Sequence, residues 1–169
     1  MKKTKLISKI LQTITRGLAW IYLITALYGT ICWIIKINIK TIEDKKIIEY
    51  PFTDISFLIL DNNITYLIFA FLLPMLSYGF FFWLLSNVFK VFCQDKLFTK
   101  NNINHLKRFY VTNIIFPVLL VTFSSFFIDV ENGIFMIMIL HLFLGIFIFI
   151  FSEIFNQGLN LQNEQDLYI

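Results

Sequence analysis

The chain alternates long uncharged stretches with short charged ones. The uncharged stretches cover residues 17–35, 62–89, 109–128 and 132–152. Each is as long as the roughly 20 residues a helix needs to cross the hydrocarbon core of a bilayer. The pattern predicts transmembrane helices over 17–35, 64–89, 109–128 and 132–152, the second starting at Ile64 and kinked at Pro74 without being ended there. The fold class that follows is all-α: a single four-span domain over residues 1–169, an antiparallel bundle of four transmembrane helices. The first stretch begins after a basic segment, as a signal peptide does. Its length, and the lack of a small-x-small cleavage site before Lys36, favour a retained helix.

Between the spans, residues 36–41 and 46–50 suit short strands, and Tyr50-Pro51 must be extended or in a turn. Thr99 is placed to cap a helix running through residues 101–109 into the third span. In residues 1–16, Leu6, Ile7, Ile10, Leu11 and Ile14 recur at helical spacing, predicting a basic amphipathic lead-in on an anionic leaflet.

Composition agrees with a lipid-covered chain. The sequence is 58% hydrophobic, 15% charged and holds 21 phenylalanines, too much apolar surface for a soluble domain of this size to bury. The net charge of +3 is unevenly spread. Five basic residues lie in 1–16, five in 90–108 and four in 36–61, with none after Arg108. By the basic bias of cytoplasmic loops, the N-terminus, the 90–108 loop and the tail 153–169 lie in the cytoplasm and 36–61 outside, in a multi-pass protein of a cell's inner membrane. No basic stretch is interleaved with aromatics as in nucleic-acid binders, so direct nucleic-acid binding is not expected.

Polar residues within the spans fall on one stripe each: Tyr22, Thr25, Gly29 and Cys32; Pro74, Ser77 and Tyr78; Asn113, Pro117 and Ser124; His141, Gly145, Ser152 and Asn156. Such stripes turn toward other helices, because lipid offers no partner. The intramembrane polar candidates are His141, Ser77, Tyr78 and Asn113. His141 sits at mid-span. It is either a ligand- or proton-responsive group or a neutral imidazole bonded to a hydroxyl such as Ser77 or Tyr78. Glu153, at the inner edge of the fourth span, is level with Arg16 and Arg108 and suits a salt bridge. Cys32 and Cys93 fall on opposite sides of the membrane, which argues against a mutual disulfide. No HExxH, GxSxG, P-loop or dinucleotide-binding turn occurs, and no metal-ligand spacing, so catalytic residues, metals and cofactors are not expected.

Two segments carry a resemblance. The first is Asp95-Lys96-Leu97-Phe98-Thr99-Lys100-Asn101-Asn102, followed by Leu106-Lys107-Arg108. The second is Ser152-Glu153-Ile154-Phe155-Asn156-Gln157-Gly158-Leu159 with Leu161-Gln162-Asn163-Glu164-Gln165-Asp166-Leu167. With the spans around them, the chain resembles the bacterial family of four-span membrane proteins called domain of unknown function 2975. That family has a G-x-P/L-F-T-x-E-N loop and a tail like E-x-F-x-x-G-x-x-L-Q-x-E-Q-D-L-T-I. Asn101 stands where the family carries an acid and Tyr168 where it carries Thr. The resemblance implies no assigned activity. It does imply a partner, because members are often encoded beside a very small helix-turn-helix DNA-binding protein.

The expectation is therefore a non-enzymatic membrane regulatory protein with a cytoplasmic partner, a small DNA-binding regulator. Its candidate surface is Thr99, Lys107, Arg108, Glu153, Glu164 and Asp166, with the acidic tail folding back over the basic 90–108 helix. The alternative is a small transporter or channel subunit, which would act as a homo-oligomer and need a wet polar path through the bilayer.

Overall fold

The four apolar stretches carry four helices in a computed structural model that describes residues 2–42 and 44–166. They are α1 (Lys2–Ile35), α2 (Ile64–Val91), α3 (Lys100–Ser124) and α4 (Asn132–Asp166), each long and apolar enough to cross a membrane. Between α1 and α2 lies an antiparallel sheet of three strands, β1 (Ile39–Ile42), β2 (Lys45–Glu49) and β3 (Ser56–Asp61), in the order β1-β2-β3. The third strand was not anticipated from the sequence. β3 pairs along the whole of β2, setting Ile47 opposite Ile59 and Ile48 opposite Leu58.

Helix pairing follows small residues. Along α1 and α2, Gly29 meets Phe71, Leu23 meets Gly79, and the Ser86 hydroxyl donates to the Gln12 carbonyl. Ascending numbers on one helix meet descending numbers on the other, so the two run in opposite directions. The same holds for α3 and α4, where Ile114 lies on Gly145 and Tyr110 on Phe149. The fold is thus two antiparallel hairpins. The start of α1 and the end of α4 share one end of the bundle, the termini end, and the sheet sits at the other.

Each end has its own core. At the termini end, Val88, Val91, Leu106, Phe109, Ile148 and Phe155 form a buried cluster that draws in Phe92, Leu97 and Phe98 of the 92–99 loop. At the sheet end, Leu60, Leu67 and Phe71 pack with Trp33 and Phe57. Tyr28 fastens the sheet to α1 by donating its hydroxyl to the Glu49 carbonyl. Lys46 lies 3.9 Å over the Trp33 ring, a cation–π contact.

α2 is irregular where Pro74 requires it. Proline has no N–H and its ring crowds the carbonyl four residues back. The preceding turn, Leu67–Leu72, widens to a π-helix in which the Leu73 amide reaches the Ile68 carbonyl five residues earlier. Asn63 caps the start of α2 by accepting from the Thr65 amide at 2.9 Å.

Three sequence expectations are corrected here. The lead-in does not form a separate surface helix; Lys2–Ile35 is one helix, since nothing between Lys9 and Gly17 breaks it. The tail does not fold back; α4 runs on to Asp166, because the polar segment after Ser152 has no proline. Leu167, Tyr168 and Ile169 lie outside the described residues. The third helix stops at Ser124 rather than near 128, and the Ser125 hydroxyl turns back to the Thr122 carbonyl at 2.7 Å, the local bond by which serine competes with a helix.

Candidate functional site

Between the two hairpins, α2, α3 and α4 leave a cavity of about 460 Å³, within the ~300–1,000 Å³ range typical of small-ligand sites. The two prolines within helices line it, Pro74 from α2 and Pro117 from α3. Each removes a helical hydrogen bond from its own wall, so the cavity lies where the two helices are least regular. Phe69, Tyr78, Phe81, Phe109 and Phe116 supply an aromatic lining. At one mouth, on the sheet side of α3 and α4, stand Asp129 and Glu131.

The polar groups of the cavity come from all three helices. Asn113, buried on α3, donates from Nδ2 to the His141 backbone carbonyl, and its Oδ1 lies 2.8 Å from His141 Nδ1. A carbonyl only accepts, which fixes the amide orientation. Oδ1 then faces Nδ1 and accepts its proton, so a neutral ring presents Nε2 as an acceptor. His141 lines the cavity, and Nε2 bonds to no other described residue. This corrects the expected partner. Ser77 gives its hydroxyl to the Leu73 carbonyl on its own helix at 2.6 Å, and the Tyr78 ring is 6.0 Å from the imidazole centre to centre. Phe81 touches the imidazole edge-on at 4.8 Å. Ser124 Oγ, also in the lining, is buried with no hydrogen-bond partner among the described residues.

A second cleft, of about 300 Å³, lies nearer the termini between α2 and α3, with Asn87, His105 and Arg108 at its polar end. Phe80, Leu84 and Thr112 line both spaces.

The termini end holds the second set of candidates. Thr99 accepts from the Asn102 amide at 3.2 Å and so caps α3. Asn102, buried, donates to the Lys96 and Leu97 carbonyls at 3.1 and 2.9 Å, closing the loop onto the helix. Phe98 then lies flat on Gly158, where an added Cβ would come 2.7 Å from the ring, and edge-on to Phe155. The loop and tail segments that carry the family resemblance therefore touch one another. Asp95, at the loop's outer edge, is paired with Lys5 of α1, and this partner holds its carboxyl below the usual carboxylate range.

Lys107, Arg108, Glu153, Glu164 and Asp166 are all exposed at this end. Among the described residues, none of them is in a salt bridge. The expected Glu153 pairing with Arg16 or Arg108 is absent. Arg16 instead donates to Asn87 Oδ1 at 3.2 Å and stacks 3.8 Å over Trp83, because α1 packs on α2 while Glu153 belongs to the other hairpin. Asn156 is likewise exposed rather than on the helical seam. Cys32 and Cys93 are free thiols. Among the described residues no group of His, Cys, Asp or Glu could hold a metal ion.

Comparison with known proteins gives one match. A family model described as "protein of unknown function (DUF2975)" matches residues 8–169. No curated protein and no solved structure matches the chain.

Proposed function

The chain belongs to this DUF2975 family of unknown function, and from that premise we propose a non-enzymatic relay of the bacterial inner membrane, passing the state of its cavity to a small helix-turn-helix DNA-binding regulator in the cytoplasm. One observation carries the reading. α3 and α4 line the cavity with Asn113 and His141 and continue unbroken to the exposed Lys107, Arg108, Glu153, Glu164 and Asp166. A change in spacing at the cavity would move that surface, because a helix is a rigid element whose shift carries the residues at both its ends. The ten basic residues at this end favour a cytoplasmic placement of both termini. The surface carries both signs of charge, so it suits a partner that is itself patterned, and the loop closed by Asn102 holds it in shape.

Co-purification tests the reading. Replacing Lys107 and Arg108 by Glu should leave the protein folded in the membrane and remove a co-purifying DNA-binding protein. Retention of that protein by the doubly substituted chain would place the contact elsewhere.

A second reading has its own observation. The cavity and the cleft meet at Phe80, Leu84 and Thr112, which supports a gated path in a small channel or transporter working as a homo-oligomer. In proteoliposomes, Leu84→Ala should then raise solute or ion flux above that of the unsubstituted protein. Equal, background-level flux from both would remove this reading.

A further inference from the structure

We infer that the cavity between the hairpins is a binding site for an uncharged apolar alcohol: a long chain or ring system with one hydroxyl donor. Three observations converge on that chemistry. The walls are dominated by aromatic and aliphatic side chains, which exclude a strongly hydrated ligand. Asn113 holds the His141 proton on Nδ1, so the free Nε2 asks for a donor. The third observation is the sign of the charges at the mouth. Asp129 and Glu131 are both acidic, and no lysine or arginine follows Arg108.

These features discriminate among the common amphiphiles. A carboxylate or phosphate head would meet like charge at Asp129 and Glu131 and would offer His141 no donor. An ammonium head could donate, but it would have to shed its water beside a neutral imidazole at mid-membrane depth, with no buried counter-charge within the cavity. An ether or hydrocarbon fills the space and leaves Nε2 unsatisfied. A hydroxyl satisfies Nε2 by donating and can still accept from the hydroxyl of Tyr78, whose ring stands beside the imidazole. Sites built to bond a substrate hydroxyl discriminate strongly against analogues that lack it. Such a ligand would be the input of the relay, yet its binding is read directly and does not depend on the relay having an output.

The test is saturable binding of radiolabelled dodecanol to the full chain in phosphatidylcholine nanodiscs, with empty nanodiscs subtracted. Unlabelled dodecanol should compete about tenfold better than 1-methoxydodecane, dodecanoate or dodecylamine, the tenfold corresponding to roughly one net hydrogen bond. His141→Phe should abolish the preference for the alcohol over its ether while keeping some binding, and Ser77→Phe, which fills the cavity, should abolish saturable binding. If His141→Phe does not fold, the competition series on the unsubstituted protein still decides. Equal competition by the ether, better competition by the amine or the acid, or no saturable binding above empty nanodiscs would each overturn the proposal.

Discussion

Asn113 and His141 are joined twice, side chain to backbone and side chain to ring, across the α3–α4 interface. Because one bond ends on a carbonyl, it dictates the orientation of the amide and through it the tautomer of the imidazole. The pair should therefore behave as a unit. Asn113→Leu and His141→Leu are each expected to destabilise the folded protein by about 1 kcal/mol, the scale of interhelical hydrogen bonds in bilayers. The double substitution should cost less than their sum. His141→Gln, which keeps a donor and an acceptor, should be milder than His141→Leu. Unfolding in bicelles measures all four; strict additivity would mean the two side chains do not act together.

Phe98 on Gly158 is a steric claim. Gly158→Ala places a methyl inside the ring's contact distance, and overpacking of this kind costs on the order of 1–3 kcal/mol. Phe98→Leu should rescue it, since a smaller side chain leaves room. Thermal unfolding of the single and double variants in detergent checks this. A Gly158→Ala protein as stable as the parent would show that loop and tail do not meet as described.

On the sheet, Lys40 lies 2.6 Å from Glu49 and 2.9 Å from Asp54. The lysine holds the Asp54 carboxyl below its ordinary range, while hydrogen bonds to the two carboxylates, Glu49 first, hold Lys40 above its own. The signs differ at the two ends of the pH scale. Asp54's contribution is present above its unfolded pKa and lost as pH falls through the lowered value. Lys40's is present below its unfolded pKa and lost as pH rises through the raised one. Both groups are solvent-exposed, so the effect on stability is small and screened by salt. An NMR titration of Asp54 should move up toward the ordinary carboxylate value in Lys40→Met; an unchanged titration would mean the ion pair does not form.

Orientation is checked by labelling. With Cys32 and Cys93 replaced by Ser, single cysteines at Lys45, Lys100 and Gln165 should be reached by an impermeant maleimide from outside the cell at Lys45 alone. Labelling at Lys100 in intact cells would invert the assignment and with it the placement of the partner surface.

How far these features were legible in the sequence depended on their range. Spans depend on local hydropathy, and the helix cap at Thr99 depends on a residue type three positions before the amide it serves, so both could be read. The continuation of α1 back to Lys2 and of α4 on to Asp166 could not, because charged residues end an apolar stretch without ending a helix. β3 was hidden because residues 56–61, Ser-Phe-Leu-Ile-Leu-Asp, become a strand by pairing with β2, which is a tertiary event. The sequence set Ser77 and Tyr78 at a depth similar to that of His141 and marked Asn113 only as a polar position of the third span. It did not say which helices are neighbours, so the expected partner was a hydroxyl of α2 and the amide of α3 was missed. The same ignorance of pairing produced the expected Glu153 salt bridge. The cavity itself is a property of three helices, two of them disturbed by proline, and no single segment announces it.

The relay is tested most directly by crosslinking in living cells. A photoreactive phenylalanine analogue placed at Lys107 or Glu164 should give a discrete adduct with a DNA-binding protein, and filling the cavity with Ser77→Phe should change the yield of that adduct severalfold while the protein level in the membrane stays the same. Adducts with other membrane proteins only, or an adduct whose yield ignores the cavity, would contradict the account.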